Sequence, residues 1–159
     1  MFEVVIVPLD GSELAEAALE PARAICEKFG SLLLLVRAIE PASHLIVTQP
    51  PALLDSPASA EANIELIEQI VQAEHEEATK YLEPLIQRIG AGIKVEYVVV
   101  EAQPREAITE VADERKADLI VMSSHGRGGL GRVIFGSVAD HVLRNSHTKV
   151  MLIRLEEPS

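Results

Sequence analysis

Tryptophan is absent from this 159-residue chain, aromatic residues make up only 3 % of it, and cysteine occurs once. Each scarcity excludes something. So few flat rings leave no stacking platform for single-stranded nucleic acid. A single cysteine allows no internal disulfide framework and no thiolate cluster for zinc. Cations are scarce too: 14 Lys and Arg stand against 25 Asp and Glu, a formal net charge of −11. A chain this acidic lacks the clustered positive charge that a DNA or RNA backbone demands, so nucleic acid is not an expected partner. No apolar run approaches the roughly 18 residues needed to span a bilayer. Residues 1–10 carry no basic region ahead of their short apolar stretch. A cytoplasmic protein with no membrane partner is expected.

What is present is an ordinary globular inventory, 48 % hydrophobic and 25 % charged. The length suits one domain over residues 1–159, large enough to hold a core without a covalent or metal staple. Cys26 lies in an apolar helical stretch and reads as a small buried hydrophobe.

Residues 4–9 form a continuous apolar run, the signature of a strand buried on both faces. After Asp10-Gly11-Ser12, apolar residues recur at helical spacing (Leu14, Ala17, Ala18, Ala22, Ile25, Phe29), and Gly30 marks a stop. Residues 32–39 are a second buried strand. The β-α-β order with a crossover of helical length implies parallel strands. Residues 41–58 are then broken up by Pro41, Pro50, Pro51 and Pro57, which predicts an irregular insertion or a lid. Leu45, Ile46, Val47, Leu53 and Leu54 make it apolar enough to pack on something. Residues 60–89 read as a long helix with Ile64, Ile67, Val71, Ala78, Leu82 and Leu85 near one face. Glu65, Glu68, Glu76 and Glu83 form its solvated side, and Pro84 predicts a kink or a fresh turn.

Strands at 95–100, 118–122 and 150–155 follow, with helices from Pro104 and over residues 137–144 between them. Buried strands alternating with helices define an α/β fold, an open doubly wound parallel sheet with helices on both faces. Ligands of such sheets bind beyond the carboxyl ends of the strands, where strand order reverses. The loops after the first and fourth strands are therefore the ones to read for chemistry.

The loop after the fourth strand holds five glycines within residues 126–136. Glycine lets a backbone approach a ligand closely, and successive N–H groups in such turns form anion nests. Ser137 follows as a candidate helix cap, with Asp140 placed to return the bond, and a helix N-terminus is a natural seat for phosphate. Two familiar patterns are rejected. Gly126, Gly128 and Gly131 match the dinucleotide fingerprint, but no helix opens there and the loop does not follow the first strand. Gly126 and Gly131 have phosphate-loop spacing, but Arg132 and Val133 replace the Lys and hydroxyl that the loop requires. Charge singles out the same region: residues 123–159 are net +2 and residues 1–122 net −13.

Residues 123–137 closely resemble the nucleotide loop of the universal stress protein family, whose ATP-binding members carry G-x-x-G-x9-G-[S/T]. Gly126, nine residues, then Gly136-Ser137 fit the second half, and Ser123 stands at the first glycine position. The resemblance extends from residues 6–12 to residues 149–154. It implies strand order 3-2-1-4-5 and an adenine nucleotide (ATP, AMP or cyclic AMP, with Mg or Mn arriving on the phosphates) between the first and fourth strands. It puts Pro8 and Asp10 on the adenine and ribose side, Ala38 against the base, and Gly126, Gly136, Ser137 and Val138 at the phosphates and ribose. His125, Arg127 and Gly129 complete the candidate set with Ser123; loop packing competes for His125, and solvation for Arg127 and Arg132. Asp10 has an alternative role as a turn residue. The family also implies a homodimer through Val150, Met151, Leu152 and Ile153 of the last strand, an edge that would aggregate if bare.

No histidine pairing has metal spacing, and no residue is placed as an activated nucleophile or general base, so neither a protein-built metal site nor rapid turnover is expected. The expected function is a nucleotide-binding stress-response signalling dimer. Ser123 keeps open a non-nucleotide interaction module of the same fold, and a slow nucleotide hydrolase is the remaining alternative.

Overall fold

A computed structural model of the chain describes residues 1–47, 57–124 and 136–155. The strands are β1 (Val4–Leu9), β2 (Leu32–Ile39), β3 (Lys94–Glu101), β4 (Leu119–Ser124) and β5 (Lys149–Arg154). The helices are α1 (Glu13–Glu16), α2 (Leu19–Phe29), α3 (Ala42–Val47), α4 (Pro57–Ile89), α5 (Pro104–Glu114) and α6 (Ser137–Asn145). The strands form one sheet of order β3-β2-β1-β4-β5, and every neighbouring pair is parallel.

Strand alternation splits the core into two layers. Val5, Val7, Leu33, Leu35 and Val121 point to the side covered by Leu19, Ala22 and Cys26 of α2 and Leu82, Leu85 and Ile89 of α4. Ile6, Leu34, Val36, Ile120 and Met122 point the other way, against Ile108, Val111 and Ala112 of α5 and Ala139 and Val142 of α6. The continuous apolar runs of β1, β2 and β4 are the cost of being buried on both faces. Asp118 pins the starts of β1 and β4 together: its Oδ2 accepts from the Glu3 N–H at 2.7 Å and the Val4 N–H at 3.1 Å.

Three local expectations change. The first crossover is two helices, not one. Pro21 has no N–H for the Ala17 carbonyl, and its ring would meet that carbonyl in a continuous helix. The chain therefore closes α1 at Ala17 and opens α2 at Leu19, which puts Pro21 in a first turn where the missing donor costs nothing. Gly30 ends α2 in the left-handed conformation, φ 70°. Within residues 41–58, where an irregular insertion was expected, α3 forms in the proline-free stretch after Pro41, and α4 begins at Pro57. Residues 48–56 lie outside the described residues.

The third change is in α4. It runs through Pro84 as one helix, about 50 Å long at the standard rise. Pro84 and Lys80 are exposed, so water can serve the Lys80 carbonyl that the proline leaves without a donor. Ile64, expected on the buried face, is 54 % exposed, because the sheet is covered by the C-terminal half of the helix. Phe29 is also largely exposed and stacks edge-on against Phe2 at 5.4 Å.

Candidate functional site

Beyond the carboxyl ends of β1, β2 and β4 lies a cavity of about 300 Å³. It sits where the chain, having laid β2 and β3 on one side of β1, crosses to lay β4 and β5 on the other, the position where open α/β sheets bind ligands. Its floor is Pro8 and Leu9 of β1, Val36 and Ala38 of β2, and Met122 and Ser123 of β4. One wall is the turn from Asp10 to Ser12 with Leu14 and Ala15 of α1; the opposite wall is Gly136 with the first turn of α6; Pro104 and Ile108 of α5 close a side.

Asp10 is the one charged side chain among the described lining residues. Its Oδ1 accepts from the Ser12 N–H at 2.9 Å and from the Ser12 hydroxyl at 2.5 Å. Ser12 Oγ in turn accepts from the Ala15 N–H at 3.2 Å and so caps α1. The turn role weighed for Asp10 is therefore real, and it uses one oxygen only. Partial burial raises the carboxyl pKa, but the two Ser12 bonds and the charge of Arg37 outweigh it, and the net effect holds Asp10 below its ordinary range. Asp10 is a fixed, ionised acceptor.

The opposite wall is electropositive for a different reason. Gly136 is the N-cap of α6, and no described side chain caps the helix. The expected box between Ser137 and Asp140 does not form: Ser137 is the first helical residue, and the Asp140 carboxylate turns to the Arg144 Nε at 2.9 and 3.0 Å. Among the described residues the first-turn N–H groups have no side-chain acceptor, at the positive end of a nine-residue helix. A side chain at Gly136 would project into the cavity, since no described protein atom lies within 4 Å of a β-carbon placed there. Ser123 adds one more polar group, a buried Oγ with no hydrogen-bond partner among the described residues.

The structure thus brings Pro8, Asp10, Ala38, Ser123, Gly136, Ser137 and Val138 to one cavity. His125, Gly126, Arg127 and Gly129 lie outside the described residues. Sequence reasoning missed the apolar closure by Pro104, Ile108 and Met122. The rule that crevices lie beyond strand ends points also to the loop after β3, and that was the available signal. Cys26 is elsewhere, 1 % exposed, its thiol pushed up to about 11 by burial and so inert at neutral pH. Among the described residues no three His, Cys, Asp or Glu side chains are grouped to hold a metal, and no helix is long and apolar enough to cross a membrane.

A parallel five-stranded sheet with a polar-ended, apolar-sided cavity at its reversal point defines an open α/β domain of the doubly wound class. The chain belongs to the universal stress protein family, whose model matches residues 1–154. A universal stress protein of Thermus aquaticus is 31 % identical over 154 residues, 97 % of this chain and 100 % of that one. The solved structure of MJ0577 from Methanocaldococcus jannaschii superposes with a TM-score of 0.75 at 24 % identity, covering 99 % of both chains. A universal stress protein solved in complex with cAMP gives 0.58 at 24 %, covering 96 % of this chain and 97 % of its own. An Archaeoglobus fulgidus universal stress protein solved with dAMP gives 0.54 at 18 %, with the same coverage. At these identities the structural likeness speaks to the fold.

Proposed function

We propose that this chain binds an adenine nucleotide in the β1–β4 cavity and acts as a nucleotide-responsive regulatory dimer. The observation that carries the reading is the pairing of two walls: an ionised acceptor at Asp10, and N–H groups at the start of α6 that no described side chain caps. A carboxylate suits ribose hydroxyls or an adenine amine. A helix N-terminus suits phosphate. The apolar sides suit a base. That two family members were solved with cAMP and dAMP supports the same ligand class here.

ATP, AMP and cyclic AMP all fit this chemistry. Mg or Mn would arrive on the phosphates of ATP, where it screens their charge; Asp10 is the sole carboxylate in the described lining. Turnover is not part of the proposal: the one hydroxyl–carboxylate pair in the described lining, Ser12 with Asp10, is engaged in the turn and in capping α1, and the depressed Asp10 carboxyl is a weak base. The dimer would form through β5, whose Val150, Met151, Leu152 and Ile153 present an apolar edge, while the opposite edge strand exposes Lys94, Glu96 and Glu101. A cytoplasmic location completes the reading and accords with the unpaired, buried Cys26 thiol.

Calorimetric titration of nucleotide-free protein with the three nucleotides tests the binding, and phosphate release tests for slow hydrolysis. The alternative of a non-nucleotide interaction module draws on Ser123, a serine at the family's first glycine position. It predicts no heat with any nucleotide.

A further inference from the structure

Arg37 is a charge inside an otherwise apolar strand. Its neighbours Val36 and Ala38 face the cavity, and Arg37 between them faces the side covered by α4. Its guanidinium carbon lies 5.8 Å from the centre of the Tyr81 ring. On its other side is the backbone of Gly11: a β-carbon placed there would lie 3.7 Å from both terminal guanidinium nitrogens. Gly11 has φ +89°, a conformation glycine adopts without strain. The cation is therefore wedged between the ligand-facing turn and the long helix.

Among the described residues no direct pairing repays the partial burial of this charge. The buried Arg37 Nε has no hydrogen-bond partner among the described residues, and the guanidinium makes no hydrogen bond or ion pair with them. An apolar residue here would extend the β2 run and avoid the desolvation cost. Arg37 does act on Asp10 without touching it, since its charge favours the ionised carboxylate.

The support behind Arg37 is itself held. The Tyr81 hydroxyl donates to Glu16 Oε1 at 3.0 Å, and Arg88 reaches Glu16 Oε2 at 2.9 Å. Burial, followed by the Glu16 carboxylate, pushes the Tyr81 phenol above its ordinary range, so it stays a neutral donor. The charged and titratable described groups around Asp10 are thus Arg37 from β2, Tyr81 and Arg88 from α4, and Glu16 from α1.

We propose that Arg37 is a positioning residue for ligand recognition: braced on Tyr81, it holds the Asp10-Gly11-Ser12 turn in the form that presents the Asp10 carboxylate to the ligand. This rests on the nucleotide reading above. Arg37 does not contact the ligand; it acts through Asp10.

The test compares wild type with Arg37→Met, Arg37→Lys, Asp10→Asn and the Asp10→Asn/Arg37→Met double variant, using AMP in calorimetry. Arg37→Met is expected to weaken AMP about tenfold, the size of one lost charge-assisted hydrogen bond. Arg37→Lys recovers most of that loss. The double variant binds no more weakly than Asp10→Asn alone, as expected for residues acting as one unit. Additive losses, an unaltered Arg37→Met affinity, or a lysine variant as weak as the methionine one would overturn the role. A second arm needs no ligand: in NMR titration of the Asp10 carboxyl, Arg37→Met raises the midpoint, and an unmoved midpoint also overturns it. If wild type binds no adenine nucleotide, the binding reading fails and this role with it; a midpoint that still moves locates the failure in the ligand rather than in the Arg37–Asp10 pair.

Discussion

Asp10 and Ser12 are joined twice, with Asp10 Oδ1 accepting both the Ser12 N–H and the Ser12 hydroxyl. Because Ser12 also caps α1, one short chain of hydrogen bonds runs from a cavity carboxylate to a cavity-wall helix. The two roles weighed for Asp10, turn residue and ligand acceptor, are therefore compatible. The turn fixes one oxygen and leaves the other to accept.

Ser12→Ala removes the hydroxyl bond to Asp10 and the cap of α1 at once, and leaves the backbone N–H bond to Asp10 in place. It should cost about 1 kcal/mol of folding stability through the lost cap and weaken nucleotide binding several-fold through a loosened Asp10. A urea midpoint and a calorimetric titration on the same variant measure the two effects. A stability loss with unchanged affinity would show that the turn does not serve the ligand.

Asp118 ties β1 to β4 at the end of the sheet remote from the cavity. The two backbone N–H bonds hold its carboxyl below the ordinary 3.8, with burial opposing them. A folded pKa depressed in this way contributes stability that is full above the unfolded value and is lost as pH falls through the folded one. Asp118→Ala should cost about 1 kcal/mol at pH 7, the bonds being partly exposed. The gap between wild type and variant should narrow below about pH 4, read from chemical unfolding at several pH values. A gap independent of pH would contradict this assignment.

Met151 is exposed on the outer strand of the sheet, paired on its inner side with β4 through Val121. A charge there should disfavour edge-to-edge association without touching the core. Sedimentation is expected to find wild type dimeric and Met151→Asp monomeric with unchanged secondary structure. A monomeric wild type would remove β5 as a dimer edge.

The sheet was legible in the sequence because strands buried on both faces leave no choice of residue: β1, β2 and β4 are nearly unbroken apolar runs. The helix breaks were less legible. Pro21 lies in the same Ala-rich periodicity that made the first crossover look continuous, and only its missing bond to Ala17 separates α1 from α2. The candidate site was legible where one residue type carries the chemistry. Asp10 after β1 and Gly136 before α6 are such positions. Pro104, Ile108 and Met122 come together only through strand order, and no local pattern in any of them signals a cavity. Arg37 did carry a signal, a lone cation within an apolar strand, but its meaning needed Gly11 and Tyr81 on either side of it.

Adenine nucleotide binding is tested most directly by calorimetric titration of nucleotide-free wild type and Gly136→Val with ATP, AMP and cyclic AMP. The added side chain meets no described protein atom near its β-carbon, so the variant should fold and keep its assembly state while filling the ligand's space. The expected result is saturable binding of at least one nucleotide at one site per chain, weakened more than tenfold in Gly136→Val. No heat with any of the three in wild type, or equal affinity in the variant, would contradict a nucleotide site between β1 and β4.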